Sequence, residues 1–151
     1  MIKSHQLTHA SAASKELLSA FQSFVADPQL RGLIAVIENE SIVPGPTIST
    51  AGPFLEDLEQ LRNVLTAKRP SYVLLRRYED ETPAFVPVTY MPDGANVSQK
   101  TLFASTKDTF LRQLGTEKFG RPLFATELED LLDRDFWGMD GAVYGFPTLG
   151  T

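Results

Sequence analysis

One long amphipathic segment constrains this 151-residue chain more than any other feature. The turn-forming sequence Met91-Pro92-Asp93-Gly94 precedes it directly, and residues 95–115 then contain neither proline nor glycine until the final position. Phe103, Phe110 and Leu114 are separated by seven and four residues, so they lie on one side of a helix and face a core. The sequence therefore predicts a long helix over residues 95–115 that begins after a tight turn and ends at a glycine.

The opposite side of this helix lacks the dense charge of an ordinary solvated face. Its residues recur at steps of three and four positions and are small or mildly polar: Val97, Thr101, Ala104, Ser105 and Asp108. A smooth strip of this kind, with Lys100 beside it, is typical of a helix over which the groove of another protein fits. Taken without further context, Lys100 is more simply interpreted as a solvated helix lysine. Phe103 and Phe110 are core residues under either interpretation.

The composition excludes several classes of function. Hydrophobic residues make up 42% and charged residues 22%, which is typical of one globular domain. No apolar run is long enough to cross a bilayer, and the N-terminus lacks the apolar stretch of a signal peptide. A net charge of −5 argues against nucleic acid as the partner. The absence of cysteine excludes disulfides, thiolate nucleophiles and cysteine-ligated zinc, and it fits a reducing intracellular compartment.

The rest of the chain alternates helices with pairs of strands. Hydrophobic periodicity and turn residues predict helices at 15–26, 53–67 and 127–134 and strands at 32–38, 41–43, 71–78, 84–90 and 121–126. Ser14 is the expected cap of the first helix, and Thr126 with Glu129 forms a capping-box pattern for the last. Pro87, inside a strand pattern, predicts a bulge or a position without an N–H partner. We expect an α/β (α+β) fold: a single mixed, largely antiparallel sheet of five or six strands with helices on both faces.

Signals for an enzyme are weak. His5 and His9 have a helical metal-ligand spacing but lie in a terminal segment without a third ligand. Carboxylates are numerous near the C-terminal end, yet such a run is usually a solvated helix face. The chain has no glycine-rich phosphate loop and no GxSxG nucleophile motif. We expect no cofactor and no metal, and a small hydrolase of unknown substrate stays open as an alternative of another class.

Residues 90–108, YMPDGANVSQKTLFASTKD, resemble the signature of the actin-depolymerising factor/cofilin homology domain. In that family an aromatic–x–Pro–acidic strand exit leads into the main actin-binding helix. The similarity covers about residues 14–132 and, within the family, is greatest to the N-terminal domain of a twinfilin of the fungal type. It implies a cofilin-like fold, with a homology domain at 1–137 and a linker or terminal tail at 138–151.

The resemblance also implies a role for each residue of the exposed helix face. The helix would insert between two subdomains of an actin monomer, with Val97 and Thr101 inserted and Ala104 and Ser105 allowing close approach. Lys100 matches the second of two basic residues that pair with acidic groups on actin, whereas Ser98 stands where the first usually lies. The candidate actin-binding residues are therefore Val97, Ser98, Lys100, Thr101, Ala104, Ser105 and Asp108.

Three activities within the family are open at this point. Filament binding and severing, as in cofilin, uses basic residues in the loop between the central strands and on the last helix, but here the loop at 79–83 and the last helix are acidic. Binding to the branching complex is another option. The sign of the charge favours sequestration of monomeric actin, including its ADP-bound form, by a monomeric protein of the cytoplasmic actin cytoskeleton. We expect no nucleic-acid partner and no insertion into membranes.

The serine at position 98 gives the first testable expectation. A missing charged contact at a protein interface costs about 1–3 kcal/mol where the contact is buried. We therefore expect Ser98→Arg to tighten binding to monomeric actin, measured as a dissociation constant by fluorescence titration. An unchanged dissociation constant would contradict the idea that this position weakens binding.

Overall fold

The structure, a computed structural model, describes residues 11–77 and 82–139. Twelve elements follow one another within these ranges. They are β1 (Ala12–Ala13), α1 (Lys15–Ala26), β2 (Leu30–Glu38), β3 (Ser41–Ser49), α2 (Phe54–Leu58), a 3₁₀ turn (Glu59–Asn63), β4 (Ser71–Arg76), β5 (Phe85–Tyr90), α3 (Val97–Leu114), a 3₁₀ turn (Thr116–Lys118), β6 (Leu123–Ala125) and α4 (Leu128–Leu131).

One six-stranded sheet organises these elements in the order β1-β3-β2-β4-β5-β6. The four inner strands pair antiparallel through β3-β2, β2-β4 and β4-β5, and the two short outer strands pair parallel. The prediction of a mixed, largely antiparallel sheet of five or six strands is confirmed. Two antiparallel hairpins supply most of the pairing because tight turns connect neighbouring strands of opposite direction.

Strand alternation divides the core into two layers. Leu33 and Leu74 point to the face covered by α1 and α3, whereas Ile34 and Val73 point to the face covered by α2 and α4. Both faces are therefore apolar and both are covered by helices, as the sequence predicts. No helix within the described ranges is both long and apolar enough to cross a bilayer.

The largest errors in predicted length concern one strand and one helix. The second strand of the first hairpin continues to Ser49 instead of stopping at residue 43. It tolerates Pro44 and Pro46 because β1 pairs only with Ser41 and Ile42, so the rest of that side needs no ladder N–H. The helix predicted over 53–67 is α-helical only over Phe54–Leu58 and then tightens into the 3₁₀ turn.

A local contact shapes the loop that follows the 3₁₀ turn. The Thr66 hydroxyl accepts the backbone N–H groups of Lys68 at 3.4 Å and Arg69 at 3.2 Å. A threonine side chain bonded to nearby backbone in this way stabilises a turn. Thr66 therefore shapes the loop that leads from the 3₁₀ turn into β4.

The C-terminal predictions are shifted. The capping box consists of Glu127 and Asp130, one residue later than the predicted pair, and α4 is shorter than residues 127–134. Asp130 Oδ2 accepts the backbone N–H groups of Thr126 at 3.1 Å and Glu127 at 3.3 Å, which fixes the helix start. In β5 the register is continuous across Pro87, opposite Leu74, so no bulge forms there.

A buried ion pair ties β2 to the start of α2. Arg31 Nε donates to Asp57 Oδ2 at 2.9 Å, and the two side chains are 5% and 3% exposed. Asp57 also accepts the backbone N–H groups of Ala51 and Gly52, and Arg31 donates to the carbonyl oxygens of Gly52 and Arg76. Because the partners satisfy each other and the surrounding backbone, the pair holds the connection between β3 and α2 in one conformation.

Removing one member of this pair leaves an uncompensated buried charge. We expect Asp57→Ala to lower the free energy of unfolding by about 3–5 kcal/mol, measured by chemical denaturation. Glu59→Ala is the matched control, because Glu59 pairs with Arg62 on the exposed surface at 2.7 Å and such pairs contribute about 0–1 kcal/mol. Equal effects of the two substitutions would contradict a structural role for the buried pair.

Candidate protein-binding surface

The long helix α3 is closed at both ends by its own sequence. The Asn96 side chain accepts the backbone N–H of Gln99 at 2.8 Å, which caps the N-terminus. Gly115 ends the helix with a φ of 109°, a conformation that favours glycine, and its N–H donates to the carbonyl oxygen of Leu111. The predicted helix is confirmed, although it spans Val97–Leu114 because Ala95 belongs to the preceding turn.

The buried side of α3 packs on the sheet as the sequence predicts. Phe103, Phe110 and Leu114 are all buried, and the Tyr72 ring on β4 lies 5.0 Å and 4.9 Å from the first two rings. The Tyr72 hydroxyl donates to the Phe103 carbonyl oxygen at 2.6 Å. Burial raises the pKa of Tyr72, so this hydroxyl stays protonated and keeps donating at neutral pH. These contacts fix the rotation of α3 about its own axis.

That rotation leaves the opposite side of the helix open to solvent. Six of the seven candidate residues are exposed and Lys100 is half-buried; the exposed ones are Val97, Ser98, Thr101, Ala104, Ser105 and Asp108. Val97 is 77% exposed, more than any other large apolar side chain among the described residues. From residue 97 to residue 108 the strip is about 16 Å long. We call these seven residues the α3 face.

The N-terminal segment runs beside the same helix. The backbone N–H of Ser11 donates to Thr106 Oγ1 at 3.2 Å, and that of Ala13 donates to Gln113 Oε1 at 2.9 Å. Thr106 is fully buried, so its hydroxyl serves as an internal anchor for the chain. Sequence reasoning missed this contact, although a hydroxyl three and four residues from Phe103 and Phe110, on the apolar side of the helix, was the available signal.

The turn before α3 makes an unusually close contact with a distant loop. A Cβ atom on Gly94 would lie 2.4 Å from the carbonyl oxygen of Ala67 and 3.5 Å from Lys68 Cγ. Only glycine permits this approach, so the loop between the 3₁₀ turn and β4 lies directly against the helix start. A cavity of about 370 Å³ lies between residues 65–67, residues 92–94 and residues 126–129. Sequence reasoning did not connect these three segments.

Charged groups near the start of α3 differ in whether they are paired. Within residues 11–77 and 82–139, neither Lys100 nor Lys68 has a carboxylate within ion-pair distance. Arg69, by contrast, pairs with Glu38 at 3.6 Å, and Lys107 lies 3.8 Å from Asp108. Two cations are therefore available to an external partner at this end of the surface.

The other candidates from the sequence form no comparable site. At the last helix Glu127 and Glu129 are exposed, Asp130 is half-buried and bonded to the helix start, and Glu129 pairs with Arg62 at 3.2 Å. His5 and His9, and most of the acidic loop at 79–83, lie outside the described residues. In the part of the chain that the structure covers, no group of three or more His, Cys, Asp or Glu side chains is arranged to hold a metal.

Comparisons of sequence identify the relatives of this chain. The sequence model of the cofilin/tropomyosin-type actin-binding proteins matches residues 10–136. The chain is 26% identical over 136 residues to twinfilin of Dictyostelium discoideum, which covers 86% of the chain and 40% of that protein. It is 29% identical over 119 residues to twinfilin of Schizosaccharomyces pombe, covering 77% of the chain and 36% of that protein. The chain thus spans two fifths or less of these relatives.

Comparison of structures agrees with this assignment. The solved structure of Eh twinfilin superposes with a TM-score of 0.71 at 27% identity, covering 80% of this chain and 91% of that one. Actin depolymerization factor 2 of Plasmodium berghei superposes with a TM-score of 0.69 at 17% identity, covering 82% and 91% of the two chains, and supports the fold alone. The cofilin-like fold expected from residues 90–108 is confirmed.

The contact at Gly94 can be tested by adding one carbon atom. We expect Gly94→Ala to lower the free energy of unfolding by about 1–3 kcal/mol. The new methyl group would collide with the backbone carbonyl oxygen of Ala67, which cannot rotate away as a side chain could. Thermal and chemical denaturation measure the change. Gly52→Ala is the matched control, since the nearest atom to its added Cβ is Glu56 Oε1 at 3.6 Å. If both variants are equally stable, the loop and the turn do not depend on each other.

Proposed function

The chain belongs to the cofilin/tropomyosin-type actin-binding family, and from that premise we propose that it is an actin-monomer-binding module that sequesters its partner. The observation that carries this proposal is the α3 face: an exposed strip about 16 Å long with almost no bulky side chains. A rigid helix with a narrow outer surface fits a cleft, and its backbone can approach the walls closely.

The side chains of the face divide the work of binding. Val97 is 77% exposed, so burying it against a partner contributes about 1–2 kcal/mol. Thr101 continues the inserted edge one helical turn later. Ala104 and Ser105 have short side chains and leave room for the walls of the cleft. The mechanism is occlusion, because actin whose cleft holds α3 cannot add to a filament at that surface.

Electrostatics orients the complex more than it strengthens it. Lys100 lies beside the inserted residues and is unpaired among the residues described, so it is available to an acidic group on actin. Ser98 and Asp108 complete the face without adding positive charge. We expect Lys100 to fix the register of the helix in the cleft.

The sign of the remaining surface favours monomers over filaments. Contact with a second actin subunit would need positive charge away from α3, and the last helix begins instead with the negative residues Glu127 and Glu129. The sequence at 79–83 is acidic as well. Cofilin-type severing and binding to the branching complex are therefore weaker alternatives. A hydrolase is not supported, since the family is one of actin-binding proteins.

The proposal concerns this module alone. Because the chain spans two fifths or less of the twinfilins it matches, filament-end capping is not assigned to it. We propose residues 1–137 as the homology domain and 138–151 as a linker or terminal tail, of which only Gly138 and Met139 are described. The proposed setting is the actin cytoskeleton of the cytoplasm, with the ADP-bound monomer among the partners.

A bulky charge in the middle of the α3 face tests the proposal without disturbing the core. We expect Ala104→Glu to weaken binding to monomeric actin at least about 100-fold, because the side chain blocks close approach and buries an unpaired charge. Ser19→Glu on the exposed side of α1 is the matched control and should bind as the unaltered protein does. Lys100→Ala should weaken binding less than Ala104→Glu.

The assay is actin assembly at saturating protein, followed by pelleting of filaments. Sequestration predicts a lower mass of filaments and no co-sedimentation of the protein with them. Normal assembly in the presence of saturating protein, or co-sedimentation with filaments, would contradict it.

A further inference from the structure

We infer that Lys68, in the loop before β4, extends the binding surface beyond the α3 face and pairs with a carboxylate at the rim of the partner's cleft. The inference deepens the proposed function and rests on it. Lys68 lies 26 residues before Gly94 in the sequence, and no sequence pattern connects it to the long helix. Its place at the surface follows from three structural observations.

The first observation is proximity. The Cγ atom of Lys68 would lie 3.5 Å from a Cβ on Gly94, three residues before α3 begins. The carbonyl oxygen of Ala67 would lie only 2.4 Å from that Cβ, so the loop backbone lies directly against the turn. Because the Lys68 stem continues beyond Cγ on flexible bonds, its ammonium group can reach a partner bound at the first helical turn.

The second observation is that the ammonium group of Lys68 has no ion-pair partner among the residues described. Its side chain is exposed, and no carboxylate among the described residues lies within ion-pair distance. The adjacent Arg69 is also exposed but lies 3.6 Å from Glu38. Of two neighbouring cations on one loop, one is therefore paired within the molecule and the other is left for an external anion.

The third observation is the charge of the helix itself. The first turn of α3 contains no acidic residue, and Ser98 adds no charge. Lys100 is the only cation among the seven residues of the α3 face, and Lys68, from another element, lies beside the helix start. Asp93, in the intervening turn, is exposed and carries the opposite charge. A partner with two separated carboxylates at its cleft complements this arrangement.

The loop offers its own matched pair for the experiment. We expect Lys68→Ala to weaken binding to monomeric actin about five- to tenfold at low salt, chiefly through a slower association rate, and Arg69→Ala to leave it unchanged. The difference should shrink as the ionic strength rises above physiological values, because exposed charges are then screened. Lys68→Arg should restore binding. A purely structural role for Lys68 would give neither the salt dependence nor this rescue.

A double-mutant cycle links the inference to the helix. Ser98→Arg should increase affinity more in the Lys68→Ala protein than in the unaltered protein. In the unaltered background the new arginine competes with Lys68 for one acidic region of actin, and in the Lys68→Ala protein it does not. Equal binding by Lys68→Ala and the unaltered protein, while Ala104→Glu abolishes binding, would overturn the inference and leave the proposed function intact. Failure of the unaltered protein to bind actin monomers would overturn both.

Discussion

The packing of α3 on Tyr72 is the contact on which the surface depends. The Tyr72 ring lies against Phe103 and Phe110, and its hydroxyl holds the Phe103 carbonyl oxygen at 2.6 Å. A helix on a sheet could adopt many rotations about its own axis if its side chains did not interdigitate with the sheet. Aromatic packing and a buried hydrogen bond fix one of these rotations. The outward direction of Val97 through Asp108 is a consequence of what is buried underneath.

The helix start is fixed by a second and unrelated constraint. Gly94 allows the Ala67 carbonyl oxygen to approach closer than any side chain would permit, so a loop from another part of the chain borders the α3 face. Thr66 shapes that loop by accepting two of its backbone N–H groups. The sequence indicates a single helix at this surface, whereas the structure places the loop that contains Lys68 beside it. Both segments contribute a lysine to the charge of this region.

Opposite principles govern the charges of this protein. The Arg31–Asp57 pair is buried, satisfies neighbouring backbone groups and holds one conformation. Lys68 and Lys100 are unpaired within the described ranges and are therefore available for recognition. Burial makes a charge pair costly to break, whereas exposure makes a charge cheap to keep and sensitive to salt.

The sequence by itself determined the fold class, both ends of α1 and the identity of the apolar and smooth sides of α3. Those features follow from periodicity and capping, which are local: Ser14 caps α1, Gly115 ends α3, and Phe103 and Phe110 recur at helical spacing. The motif at residues 90–108 also pointed to the family that the comparisons identify.

Only the tertiary structure decided the length of β3, the early end of α2 and the neighbours of the α3 face. Pro44 is acceptable because the strand beside it is short, and α2 ends at Leu58 although its apolar pattern continues. Thr106 and Lys68 acquire their places from partners 95 and 26 residues away. Contacts between segments distant in sequence depend on how the sheet brings them together, and no local pattern encodes that distance.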